Sequence, residues 1–597
     1  MGSLNVSCER FNGGTEQHSR QKITKAVFVT AMASALIVAT VIFLAVGINR
    51  DAIERDHNVG KYHVRRWKST QNVLKDACSS TLYPELCVSS ISSYGGLASN
   101  AGHMEILEAA VNVAIVAVKN EKARTRSLFS PDLDFRQHGA LRDCIEMYDD
   151  TLDELHDTLS DLHNTTFLSI PQHTADLETL LSAAITNQDT CMEGFTLCKG
   201  NLKKDLKGSL NNVSHLVSNS LAMVGNITDK AKQMLGIVDS VPDRRRRLLA
   251  EDFVGSDEEG FPSWMSAGDR RLLQVNGVAM TANAVVALDG SGNFTTISAA
   301  VEAAPEKSTT RFVIYVKAGV YKENVEVHKR KHFLTFIGDG EGKTVITGSR
   351  SVKGTNHTTF HSATVAVTGK GFMARDITFE NTAGPSNHQA VALRVGSDCS
   401  AFYRCSFKGY QDTLYVHTLR QFYRECDIYG TVDFIFGNAA VVFQNCNLYG
   451  RQPLENQMII YTAQGRKDPN QNTGIVIHNC TVTADFDQAG GNSSTKTYLG
   501  RPWKEYSRTV FMYSHLDHII QPVGWLEWNG TFGLSTLYYG EYNNRGPRSD
   551  TTQRVKWPGH RVINSSSEAG QFTVDRFIEG DKWLPSVGVP YSSSVTP

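Results

Sequence analysis

Arg404-Cys405-Ser406-Phe407, Glu425-Cys426-Asp427-Ile428 and Asn445-Cys446-Asn447-Leu448 follow one another about every 20 residues, with a more distant echo at Asn479-Cys480-Thr481-Val482 after an insertion. Each phrase comes after an aromatic or aliphatic run of strand character. A unit of about 20 to 25 residues is too short to enclose a core of its own, so such units stack as coils of a solenoid, here an all-β right-handed parallel β-helix. Gln389, Gln411, Asp412 and Asp433 share the period, at intervals of 22, 1 and 21 residues. Stacked coils lie about 4.8 Å apart. The register therefore sets Asp412 against Asp433 across adjacent coils, with Gln389 one coil before Gln411.

The chain has 597 residues, too many for one ordinary core. Its charge is unevenly spread: residues 51–273 hold 24 Lys+Arg against 32 Asp+Glu, and residues 274–597 hold 31 against 27, so the parts stand at −8 and +4. A mildly basic second part suits a polyanionic substrate, although a solvated mixed surface would read the same way. Residues 26–48 are apolar and uncharged, long enough to span a bilayer, and follow Arg20, Lys22 and Lys25. They read as an uncleaved signal anchor behind a cytosolic tail, 1–25, which sends the remainder into the secretory pathway. Nine Asn-X-Ser/Thr sequons beyond residue 50 agree with that route.

Residues 71–235 repeat apolar side chains at three- and four-residue spacing in His103–Val118, Leu141–Leu162 and Leu177–Phe195, which predicts an all-α four-helix bundle behind a cysteine-stapled hairpin. Cys78 with Cys87 and Cys144 with Cys191 are the expected bonds there. Cys426 and Cys446, 20 apart, are expected to pair across neighbouring coils of the β-helix, within disulfide range. Cys8 would stay reduced in the cytosol, and Cys198, Cys399, Cys405 and Cys480 have no evident partner. The linker 236–273 carries one phrase twice, Arg246-Arg247-Leu248-Leu249 and Arg270-Arg271-Leu272-Leu273, the pattern of a protease site in an exposed segment. The solenoid would occupy 280–590.

Two carboxylates about one coil apart cannot ionise independently, so one is driven toward the acid form. Arg501, in Leu499-Gly500-Arg501-Pro502-Trp503, is the cation placed to keep one ionised. Two amides beside an ionised and a protonated carboxyl make an acyl-transfer site, the amides donating to an oxyanion. No Gly-X-Ser-X-Gly elbow is present, which disfavours a Ser-His-Asp esterase, and no His/Cys/Asp cluster has metal-ligand spacing, so neither metal nor organic cofactor is expected.

Gly319-Val320-Tyr321-Lys322-Glu323, Gln389-Ala390-Val391-Ala392-Leu393-Arg394, Gly409-Tyr410-Gln411-Asp412-Thr413-Leu414, Asp433-Phe434-Ile435-Phe436-Gly437 and Leu499-Gly500-Arg501-Pro502-Trp503 resemble, in order, the five signature segments of plant pectin methylesterases (pectinesterases). The likeness runs from about Val285 to Trp583. Residues 71–235 resemble the pectin methylesterase/invertase inhibitor domain that precedes the longer plant enzymes as a pro-region, and the Arg-Arg-Leu-Leu phrases resemble its processing sites, at Arg247, Leu249, Arg271 and Leu273. The resemblance implies removal of methyl esters from homogalacturonan, with Asp433 as nucleophile, Asp412 as acid then base, Gln411 and Gln389 at the oxyanion and Arg501 orienting Asp433. It also implies substrate contacts by Thr364, Gln389, Arg501 and Trp503, with Phe434, Tyr410 and Trp525 as further stacking faces. Partners implied are the methylesterified polymer, a processing protease and a proteinaceous inhibitor of such esterases, with no nucleic acid, in a cell-wall enzyme whose precursor is membrane-held. Two rivals stand beside this: a retaining glycosidase of polygalacturonase type, since close carboxylates and β-helices serve that chemistry too, and a protein that acts through its helical part as an inhibitor.

Overall fold

The computed structural model describes residues 70–237, 282–485 and 495–596. The apolar run 26–48, its tail, Cys8 and both Arg-Arg-Leu-Leu phrases lie outside them. Among the described residues no helix is long and apolar enough to cross a membrane.

From Ala284 onward the chain winds into three parallel sheets of eleven, seven and eight strands, each strand pairing with its equivalents one coil away. Parallel stacking brings like onto like along the core. Phe402, Tyr423 and Phe443 are register partners, and their rings stack at 4.8 and 4.6 Å. Aromatic faces at that spacing add to the area they bury. The polar residue ahead of each cysteine marks the corner between two sheets: Arg404, Glu425, Asn445 and Asn479 all have left-handed backbone, with φ of 48°, 52°, 56° and 53°. That conformation is easier for asparagine than for Arg or Glu. Its repetition in these four successive coils is what the sequence rhythm records. Against the eleven-stranded sheet pack the short helices Val574–Ile578 and Gly580–Val587, burying Val574, Ile578 and Leu584 on Phe422 and Val442.

The cysteines after these corners form a ladder. The Cys426 amide donates to the Cys446 sulfur at 3.5 Å, the Cys446 amide to the Cys480 sulfur at 3.3 Å, and the Cys480 amide to the Ser514 hydroxyl at 3.1 Å. Cys426 and Cys446 are free thiols, contrary to the expected disulfide. The reason is geometric. Equivalent positions on parallel coils keep their Cα–Cβ bonds parallel and about 4.8 Å apart, whereas a disulfide needs Cβ atoms converging to about 3.8 Å.

The helical part has the expected make-up: a hairpin of α1 (Thr70–Cys78) and α2 (Pro84–Ser92), then four long helices, α3 (His103–Ser127), α4 (Phe135–His163), α5 (Ile170–Gly194) and α6 (Leu202–Leu235). Asp134 caps α4 by accepting from the Gln137 amide, and Gly236 ends α6 in left-handed conformation. Cys78 bonds to Cys87 within the hairpin, and Cys144 to Cys191 between α4 and α5. The bundle lies on the seven-stranded sheet of the β-helix. Its core is continuous there with Ala366, Val391, Tyr415, Phe436 and Ala463.

Candidate active site

The seven-stranded sheet supplies the site. Leu393, Leu414 and Ile435 are register partners in three consecutive coils. Asp412 and Asp433 each stand two residues ahead of this row, so the expected juxtaposition holds. Gln389 and Gln411 sit at the same bend, where the Ala390 amide donates to the Gln411 carbonyl at 3.2 Å. Arg501 follows the strand Thr497–Gly500, two coils beyond Asp433. A Cβ on Gly500 would meet the Thr462 hydroxyl at 2.1 Å, so only glycine lets this strand lie close enough to deliver Arg501.

Arg501 holds Asp433 through two parallel hydrogen bonds, Nε to Oδ1 at 2.8 Å and Nη2 to Oδ2 at 2.6 Å. Such a fork is the strong form of the pair. Both aspartates are buried, and burial pushes both carboxyls up. At Asp433 the guanidinium pulls the other way. At Asp412 the Asp433 charge adds to burial and drives the acid well above the usual carboxylate range. The pair is therefore unequal. One member is hydrogen-bonded to a permanent cation, and the other is favoured in its neutral, proton-donating form.

Gln389, Gln411, Asp412, Asp433, Arg501 and Trp503 line one cleft of about 310 Å³. Sequence reasoning missed four aromatic members of its wall, Phe360, Tyr415, Phe436 and Trp528. Tyr415 and Phe436 are register partners stacked at 4.3 Å, and the Arg501 guanidinium lies 4.3 Å from the Trp528 ring centre. Period two could have found the first pair: each is the middle residue of a three-residue strand whose neighbours Leu414, Val416 and Ile435 point inward. Phe434 and Trp525, chosen instead, are core residues at 0% and 1% exposure. Tyr410 stands off the cleft under Arg451, 4.0 Å from its ring centre. Thr364 is buried in this structure, and its hydroxyl donates to the Glu380 carbonyl at 2.9 Å.

The helical part closes the cleft. Arg136, Thr190, Glu193, Thr196 and Leu197 line it from α4, the end of α5 and the turn that follows. Between the two parts, acids of the bundle meet cations of the β-helix: Asp176 and Arg420 at 2.8 Å, Asp189 and Lys467 at 2.6 Å, Glu193 and Lys504 at 2.5 Å, Asp153 and Lys329 at 3.4 Å. Asp143 binds His361, whose imidazole burial would lower but whose bond to Asp143 raises. The −8 and +4 halves of the sequence thus meet as complementary faces.

Residues 283–581 match the family model Pectinesterase, and residues 72–223 match Plant invertase/pectin methylesterase inhibitor. Pectinesterase/pectinesterase inhibitor 3 of Arabidopsis thaliana is 49% identical over 96% of this chain and 97% of its own. Pectinesterase/pectinesterase inhibitor U1 of Solanum lycopersicum is 48% identical over the same shares. Among solved structures, pectin methylesterase from carrot is 58% identical, with a TM-score of 0.52 over 52% of this chain and 98% of that one.

Proposed function

The chain belongs to the pectinesterase family and is a pectin methylesterase, and on that footing we propose that Asp433 and Asp412 divide the hydrolysis of galacturonate methyl esters between them. The observation that carries the division is the unequal pair, with Arg501 forked onto Asp433 alone and Asp412 driven toward its acid form. Asp433, ionised, attacks the ester carbonyl carbon. The amides of Gln411 and Gln389 donate to the oxygen as it becomes an oxyanion. Collapse breaks the bond to the methoxy oxygen, which takes the Asp412 proton and leaves as methanol, with the acyl group held on Asp433. Asp412, now a carboxylate, removes a proton from water, the hydroxide attacks the acyl carbon, and Asp433 departs as carboxylate. Trp503, Tyr415, Phe436 and Trp528 offer apolar faces to the sugar rings.

The expected reaction is methanol release with no new reducing ends; reducing ends in proportion to turnover would instead favour the glycosidase. The helical part acts in cis as a cover: it lines the cleft with Thr190, Glu193 and Leu197. The apolar run 26–48 leads the precursor into the secretory pathway, and cutting at Arg246–Leu249 or Arg270–Leu273 frees the esterase to work in the cell wall.

A further inference from the structure

The strand that delivers Arg501 to Asp433 is gripped from its outer side. Gly500 pairs in parallel with Trp525, the Leu499 amide donates to the Gly524 carbonyl at 2.8 Å, and the Leu526 amide donates to the Gly500 carbonyl at 3.0 Å. Trp525 is fixed in turn: it is buried, stacks on Tyr539 at 4.1 Å, and donates through Nε1 to Glu541 at 3.1 Å. Arg554, also buried, forks onto Glu541 at 2.9 and 3.0 Å. Burial would raise the Glu541 carboxyl, but bonds from His560, Arg554 and Trp525 hold it below the usual range. A buried network with its hydrogen bonds made is rigid. Gly524, at φ 73°, lies directly on it, since a Cβ there would meet the Arg554 Cδ at 2.5 Å. Three residues beyond Trp525, the Trp528 ring lies over the Arg501 guanidinium, its centre 4.3 Å from the guanidinium carbon. Arg501 therefore has Asp433 along one edge and an anchored indole on its face.

We propose that Trp528 is a positioning residue for the reaction: its indole, anchored through Trp525 and the Glu541–Arg554 pair, keeps the Arg501 guanidinium forked onto Asp433 and so holds the nucleophile ready for attack. The inference rests on the reading of Asp433 as nucleophile. A flat ring face attracts a flat guanidinium and limits its swing, and one face of the indole is taken in doing so. Asp433 is faced by Asp412 one coil back, by Arg501, by the Tyr539 phenol, which burial keeps neutral, and, under the helical part, by Arg136, Asp143 and Glu193 across the cleft. Burial pushes the Asp433 carboxyl up, and the fork from Arg501 pulls it down. A guanidinium free to swing off leaves the burial unopposed, so the carboxyl then needs a higher pH to ionise.

Trp528→Leu and Trp528→Tyr, made in the full chain and assayed as recovered from plant cells, test this. The reading is the pH midpoint of the acid limb of kcat/KM for methanol release, which reports the carboxyl that must be ionised and is independent of how much of each preparation is active. In Trp528→Leu the midpoint should move up by roughly half a unit to one unit. Trp528→Tyr keeps a smaller ring and should move it less, and it decides the matter should Trp528→Leu fail to fold. A lost sugar contact alone would lower kcat/KM at every pH and leave the midpoint in place. A midpoint that stays or falls in both variants therefore overturns the proposal. Trp503→Leu, which removes another aromatic of the wall, should cost turnover without moving the midpoint; an equal shift there would trace the effect to water entering the cleft and also overturn it. Turnover kept by Asp433→Asn would overturn the dyad reading, whereas an unmoved midpoint beside an inactive Asp433→Asn overturns the role of Trp528 alone.

Discussion

Asp412 and Asp433 occupy equivalent positions in successive coils, and both have left-handed backbone, with φ of 62° and 52°. Each such residue costs roughly 1 to 3 kcal/mol, which the packed coils above and below must offset. The bend aims both carboxyls into the cleft rather than along the sheet.

Replacing Asp433 with Asn should therefore spare the fold, since asparagine tolerates this backbone and fills the same space. An amide is no nucleophile, so methanol release should fall by roughly 10³ to 10⁴ with the melting temperature nearly unchanged. Retention of more than a few per cent of turnover would sink the assignment.

Gln411→Ala should be milder. It removes a single oxyanion donor, and a loss of roughly 10² to 10³ in kcat with KM little altered is expected. A change confined to KM would make Gln411 a ground-state contact and leave Gln389 as the oxyanion donor.

Asp412 also sets a pH dependence of stability. Its folded acid lies well above the unfolded value of about 3.9, so the folded state holds the proton more tightly than the unfolded state does. The stabilisation is complete below about pH 3.9 and disappears as pH rises through the folded value, leaving a buried charge beside Asp433. Asp412→Asn escapes that loss. Its melting temperature relative to the parent should rise by at least about 2 °C between pH 4 and pH 8, while turnover collapses. A constant difference across that range would show that Asp412 is not held as the acid.

The coil period made the fold and the dyad legible, because stacking at a fixed spacing turns sequence interval into contact. The same argument misled at Cys426 and Cys446. Period fixes which Cα atoms neighbour each other but not that their Cβ bonds run parallel, and the bond depends on the second condition. It misled again at Phe434, where proximity to Asp433 outweighed the strand alternation that turns Phe434 inward and Phe436 outward. The bundle over the cleft had only a faint trace in the sequence, the opposed charge of the two parts. Its contacts join residues far apart in the chain, such as Asn438 to Thr186 at 2.8 Å.

The thiol ladder makes its own prediction. Alkylation of the denatured chain without reductant should label Cys426 and Cys446, while the Cys78–Cys87 and Cys144–Cys191 pairs stay closed. Cys426→Ala should cost about 1 kcal/mol by lost packing, against the 2 to 5 kcal/mol typical of a removed disulfide. A tryptic peptide joining Cys426 to Cys446 would show that the coils shift enough to turn the two Cβ atoms together.

The covered cleft makes cleavage of the linker the step that should govern activity. A tethered domain meets its own partner at an effective concentration in the millimolar range, so even modest contacts keep the site occupied. Here the contacts are several: the ion pairs between the two parts, Thr190 on His417 at 2.8 Å, and the apolar continuity between the bundle core and Tyr415 and Phe436. Replacing Arg246, Arg247, Arg270 and Arg271 with Ala should leave the chain at full length on an immunoblot, with methanol release from pectin at a small fraction of the parent's rate. Adding Glu193→Gln to that uncut chain should restore part of the rate, since Lys504 then loses the carboxylate that pins the end of α5. If the uncut chain reaches the wall and works at the parent's rate, the helices do not exclude the polymer, and their place over Asp412 and Asp433 must serve the folding of the β-helix instead.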